Sequence, residues 1–206
     1  MRTAICLLGW TVWGHDAPTT KLTWTREISR IVARRCTGCH QPGGSAGFSL
    51  QAYAEARPWA VAIKEEVLQR KMPPWPAAKG FGDFRNDYSL PQEEINRLAE
   101  WAEGGAPEGE PQYLLRPLPV PLFRAAPRPP GREIRLRGQL GGAFTVLALW
   151  GEGKAGKIWA ECTDGRAIPL VWLTGGGRPQ WLVLREAVTL PAGARIRGGS
   201  VTAVVR

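Results

Sequence analysis

The chain has 206 residues, 44% apolar and 22% charged, which excludes a disordered chain and leaves room for one generous domain or two small ones. The formal charge of +9 is uneven: residues 1–110 hold thirteen basic and thirteen acidic side chains, whereas residues 111–206 hold fourteen and five. The surplus bases are scattered, not clustered with aromatics, so the second half reads as a surface for acidic proteins or an anionic envelope surface and not for nucleic acid, with solubility as the plain alternative.

Residues 1–17 read as an export signal: Arg2 is followed by the apolar run Ile5–Trp13 and then by small residues at Gly14 and Ala17. The run is too short to span a bilayer and no other segment is long enough. The mature chain is therefore expected to be periplasmic or otherwise exported, without a transmembrane span. A mis-set start or a buried N-terminal strand is the alternative.

From residue 23 the apolar spacing is helical. Ile28, Ile31 and Val32, with Arg35 and Cys36, follow a three-and-four rhythm that predicts one helix, and a second is expected near Ser49. A third opens at Pro58, a favoured first-turn residue, with Trp59, Ile63 and Val67 repeating every four residues. It must stop at Met72, because Pro73 disfavours helical backbone in the residue before it. A fourth is expected to open on Ser89 as N-cap with Gln92 completing a capping box, to turn Ile95, Leu98 and Ala102 inward, and to close at Gly104-Gly105 before Pro107.

Eight of the eighteen prolines fall in residues 107–130, the texture of an extended, semi-rigid linker. Beyond it the period changes to two: Ile134, Leu136 and Leu140 alternate with Arg135 and Arg137. Strand-like stretches follow at Phe144–Trp150, Lys157–Cys162, Ile168–Leu173, Trp181–Arg185 and Ser200–Val205, separated by glycine-rich turns. The expected architecture is an all-α domain over 23–106, a proline-rich linker over 107–131, and a small all-β sandwich or open barrel over 132–206.

The most informative string is Cys36-Thr-Gly-Cys39-His40. Two thiols three positions apart on a helical turn can add to the two vinyl groups of one haem, and the adjacent histidine is then held under the iron. A structural zinc site would want four Cys/His ligands, and only Cys6 and Cys162 remain. A thioredoxin-type pair would open a helix, where the dipole lowers a thiol pKa, whereas this pair closes one. The second axial ligand follows by elimination. His15 and Met1 lie in the expected signal, which leaves Met72, in the stiff segment Lys71-Met72-Pro-Pro-Trp-Pro76. The bland alternative is a methionine filling a core gap.

Residues 24–110 resemble a group of bacterial monohaem cytochrome c domains. The shared features are CxxCH followed by Pro42-Gly43, the Arg70-to-Trp75 segment of Arg-x-Met-Pro-Pro-Trp form, a Gly/Phe/Asp-rich loop from Gly80 to Asp87, and Trp101 followed by Gly105-Ala-Pro-Glu-Gly109. The resemblance covers somewhat under half the chain and implies an all-α cytochrome fold, haem c bound covalently through Cys36 and Cys39, and His40 and Met72 on the iron. Pro91 departs from it, standing where a polar cap is usual.

Two protein ligands would leave no free iron site, and histidine with methionine favours the ferrous state. Trp59, Trp75 or Trp101 could bury the haem, and Arg70 could pair with a propionate or simply be a solvated helix residue. Ten tryptophans suit either a flat aromatic ligand or tightly packed small cores. The expected function is one-electron exchange with redox partner proteins, without substrate turnover. The alternative is a haem enzyme or gas sensor, peroxidase-like or nitric-oxide-binding, with a displaceable Met72.

Cytochrome domains of this type occur fused to other modules, copper-dependent monooxygenase-like ones included, and Trp181–Arg185 and Leu190–Ile196 are similar to the last strands of such β modules. A copper site needs histidines, and none follows His40. Cys162, in an alternating strand, reads as buried packing. The basic module is then a docking or scaffold unit.

Overall fold

Residues 20–115, 120 and 122–206 are described in the computed structural model. The expected signal with Met1, Cys6 and His15, and Pro117, Pro119 and Pro121 of the proline-rich segment, lie outside the described residues.

The first apolar stripe does form a helix. A π-helical turn, Trp24–Ile28, runs into α1, Ser29–Arg35, and buries Trp24, Ile28, Ile31 and Val32. After a loop come α2, Tyr53–Ala56, and α3, Ala60–Leu68, the latter entered through the 3-10 turn Arg57–Trp59 with Pro58 in its first turn. The Ser49 hydroxyl and the Ala52 N–H both donate to the Glu55 carboxylate, which closes the start of α2. The third helix stops short of Met72. Arg70 takes a left-handed φ of 55°, and the Arg70 and Lys71 N–H groups donate to the Val67 and Glu66 carbonyls at 3.0 and 2.9 Å, a Schellman close.

Helix α4, Gln92–Glu103, has Pro91 in extended conformation at its N-cap. The capping box expected from Ser89 is absent, and the Ser89 hydroxyl is buried without a partner among the described residues. Its inward face is Ile95, Leu98 and Trp101, all 2% exposed or less. These side chains meet Trp24, Ile28 and Val32 in one helical core, and each contributes about 1.5–3 kcal/mol on burial.

The alternating region forms seven strands: β1 Arg132–Leu136, β2 Phe144–Trp150, β3 Gly156–Glu161, β4 Ala167–Leu173, β5 Trp181–Leu190, β6 Arg195–Arg197 and β7 Val201–Val205. They make two antiparallel sheets, ordered β1-β7-β2-β5 and β4-β3-β6. Both contribute to a second core around Leu136, Leu149, Leu170, Leu182 and Ala203.

The expected all-α cytochrome-like domain is overturned. Helix and strand take near-equal shares of the described residues, 24% and 25%, and the fold is mixed. The reason lies between α3 and α4. Pro73, Pro74 and Pro76 break the helical hydrogen-bond ladder there, and the segment crosses to the sheets. Ala77 bridges Leu173 of β4 and Phe84 bridges Leu184 of β5, the two strands that end their sheets. Trp75, Ala77 and Phe84 are buried in the sheet core, not the helical one. The segment thereby covers two open sheet edges, which would otherwise present unpaired backbone groups.

Candidate functional site

The helical N–H ladder of α1 carries the chain directly into the cysteine turn. The Cys36 N–H donates to the Val32 carbonyl at 2.8 Å, and the Cys39 and His40 N–H groups donate to the Cys36 carbonyl at 3.1 and 2.9 Å. The Thr37 hydroxyl donates to the Ala33 carbonyl at 2.8 Å. Gly44 folds back so closely that an added Cβ would lie 2.1 Å from the Cys39 carbonyl oxygen. From the proline-rich segment, the Phe123 N–H reaches the Gly38 carbonyl at 2.6 Å and the Val120 carbonyl accepts from the Gln41 amide at 3.0 Å.

This turn forms one wall of a cavity of about 540 Å³, within the usual range for a cofactor site. Cys36, Cys39 and His40 line it together with Met72 and Trp59. Phe48 joins them, its ring stacked on Trp59 and edge-on to His40, both at 4.5 Å between centroids. Leu50, Ile63 and Leu90 add apolar surface.

At the rim Arg34 and Arg35 share the Glu94 carboxylate at 3.1 and 2.7 Å. Arg178, from the β4–β5 connection, also lines the cavity and donates to the Ser45 hydroxyl at 3.2 Å. Tyr88 closes the far side. Its hydroxyl donates to the Pro74 carbonyl at 3.1 Å and accepts from the buried Gln180 amide at 2.6 Å.

The remaining expected pocket residues lie elsewhere. Pro42 is exposed. Trp101 is sealed in the helical core, its indole N–H on the Pro107 carbonyl at 3.0 Å. Arg70 and Trp75 line a separate cavity of about 260 Å³, which shares only Met72, Pro73, Val67 and Leu90 with the larger one, and Arg70 donates to Gln92 at 2.6 Å. Sequence reasoning missed Phe48, Tyr88, Phe123 and Arg178. Phe48 and Tyr88 stand close to recognised motifs and were open to discovery. Arg178, far along the chain, carried no signal.

Protonation in the cavity follows burial. The Cys36 thiol is pushed up to about 12, by burial first and then by the Glu94 and Cys39 charges, against the pull of Arg35. That is the opposite of the activated thiolate of a dithiol redox centre. Burial lowers the His40 pKa and so favours the neutral imidazole, the form that binds metals; its Nδ1 is buried without a partner among the described residues. Burial raises Tyr88, with Gln180 and Arg178 pulling it back, so the phenol stays a proton donor.

Among the described residues no three His, Cys, Asp or Glu side chains converge as a metal site, and Cys36, Cys39 and Cys162 are all free thiols. The donors are instead spread around an apolar space rimmed by cations. Such a set suits a large flat cofactor with anionic edges better than a bare ion. No family model, curated protein or solved structure matches the chain.

Proposed function

We propose that the chain binds one haem c and serves as an exported carrier of single electrons. The observation that carries this reading is the shared cavity: the two thiols and the imidazole of the Cys36–His40 turn and the thioether of Met72, more than thirty residues further along the chain, line the same 540 Å³ space. Cys36 and Cys39 would hold the haem covalently, and His40 and Met72 would bind its iron. When bound, the haem supplies reversible one-electron exchange at its iron.

The protein's own groups do the rest. Phe48 packs edge-on to His40 and Trp59 stacks on Phe48, an aromatic layer beside the imidazole. Arg34, Arg35 and Arg178 offer positive charge at the rim, suited to carboxylates. The partners are redox proteins with acidic faces, met by the basic surface of residues 111–206. No helix among the described residues is long and apolar enough to cross a membrane.

The test is a spectroelectrochemical titration of protein made with haem-maturation machinery, comparing wild type with Met72→Ala. The variant should become high-spin with a markedly lower midpoint, and an unchanged spectrum would remove Met72 from the site. Pigment extracted by acid acetone would defeat the covalent assignment. One observation favours a haem enzyme or gas sensor as second reading: Met72 remains 42% exposed, which would suit a displaceable ligand. Rapid binding of carbon monoxide to the reduced wild-type protein is the outcome that reading requires.

A further inference from the structure

The Met72 segment is not shaped by the helices alone. Its start is tied to α3, where the Met72 N–H reaches the Glu66 carbonyl at 3.2 Å. Beyond it, three backbone hydrogen bonds tie the segment to the β unit. The Arg178 N–H donates to the Pro74 carbonyl at 2.8 Å, the Thr174 N–H to the Pro76 carbonyl at 3.0 Å, and the Ala78 N–H to the Trp172 carbonyl at 2.8 Å. Because Pro74 and Pro76 have no N–H, their carbonyls are the only main-chain hydrogen-bonding groups they offer, and the β4–β5 connection supplies a donor for each.

One side chain on that connection stands apart. Gln180 is 2% exposed, and its Oε1 is buried without a partner among the described residues. Its amide nitrogen donates to Tyr88 at 2.6 Å and to the Arg178 carbonyl at 3.2 Å, and the Tyr88 hydroxyl donates in turn to the Pro74 carbonyl at 3.1 Å. A buried amide with half its capacity unmet is a stability cost. A leucine of similar size would remove that cost, so packing alone gives no reason for the amide.

We infer that the β unit is a positioning device for the sixth iron ligand: Gln180, through Tyr88 and Pro74, fixes the segment that presents Met72 to the cavity. The inference rests on the haem reading above. Tyr88 and Gln180 are positioning residues, and the β unit is then part of the redox site as well as a docking surface.

The experiment is imidazole titration of the ferric full-length holoprotein, following loss of the weak red-edge band of the iron–thioether bond, alongside thermal melting. Tyr88→Phe keeps the ring between Trp75 and Phe123, at 5.0 and 4.9 Å, and removes only the hydroxyl. Tyr88→Phe and Gln180→Leu should each bind imidazole about tenfold more tightly than wild type, the size of one lost hydrogen bond. Gln180→Leu should do so without a lower melting temperature. The double variant should go no further than the stronger single, because both act through one chain of bonds.

Imidazole affinities within twofold of wild type, with the haem attached and the red-edge band present, would overturn the inference and leave the haem reading intact. Additive effects would also overturn the relay. A wild-type chain without acid-stable haem would overturn both.

Discussion

The cysteine turn and the Met72 segment face the same cavity, yet they owe their shapes to different parts of the chain. The turn is mostly local: α1 feeds it hydrogen bonds from residues four positions back, and Gly44 and Leu50 fold back onto it, with Val120 and Phe123 as its distant partners. The Met72 segment leaves α3 and is then held non-locally, by the Trp172 carbonyl of β4 and the Thr174 and Arg178 N–H groups of the β4–β5 connection. On the haem reading, the difference teaches that the covalent anchor would need only a short motif. A soft ligand on a proline-rich segment would need a rigid body behind it, since weak thioether bonding could not organise the loop that carries it.

Breaking the helical frame should have the largest effect. Trp101 is fully buried against Trp24, with ring centroids 6.1 Å apart, and belongs to the helical core alone. Trp101→Ala should cost about 3–5 kcal/mol, and the helical circular-dichroism signal should melt earlier than the sheet signal. Simultaneous loss of both signals would show that the two cores are one cooperative unit.

A smaller wedge should act on the other wall only. Gly177 has φ 87°, and an added Cβ would lie 2.8 Å from the backbone of Trp75 and Pro76. Gly177→Ala should therefore cost about 1–3 kcal/mol in backbone strain. It should weaken the iron–thioether band while covalent haem loading stays at wild-type level. Equal loss of loading and of the band would erase the contrast between the walls.

The legibility of the molecule follows the same division. The α1 stripe, the CxxCH turn and the alternating strands are short-range patterns, and each lies close to its expected place. Read from residues 24–110 alone, the Met72 loop looked like part of an all-α unit. Nothing local distinguishes Trp75, Ala77 and Phe84 from helical-domain core residues; only the presence of two open sheet edges assigns them to the β core. Arg178 was invisible for the same reason, whereas Trp101 was misplaced because an aromatic near a cofactor motif and an aromatic in a small core carry the same sequence signal.

The gentlest contrast lies in how the cysteine turn responds to alkali before and after loading. In the unloaded chain the folded Cys36 thiol is raised from 9.0 to about 12, so the native state holds its proton more tightly than the unfolded state. That stabilisation is fully present below pH 9 and is lost as the pH rises toward 12. A thioether cannot titrate, so the loaded protein should lack this component of alkaline destabilisation. Melting both forms from pH 8 to 11, with Cys36→Ser of the unloaded chain as reference, isolates it from lysine and tyrosine titration. The unloaded wild type should lose more stability than the serine variant across that window. Parallel curves would mean that water reaches the thiol freely, and that the turn is as dependent on its ligand for order as the Met72 segment is on the sheets.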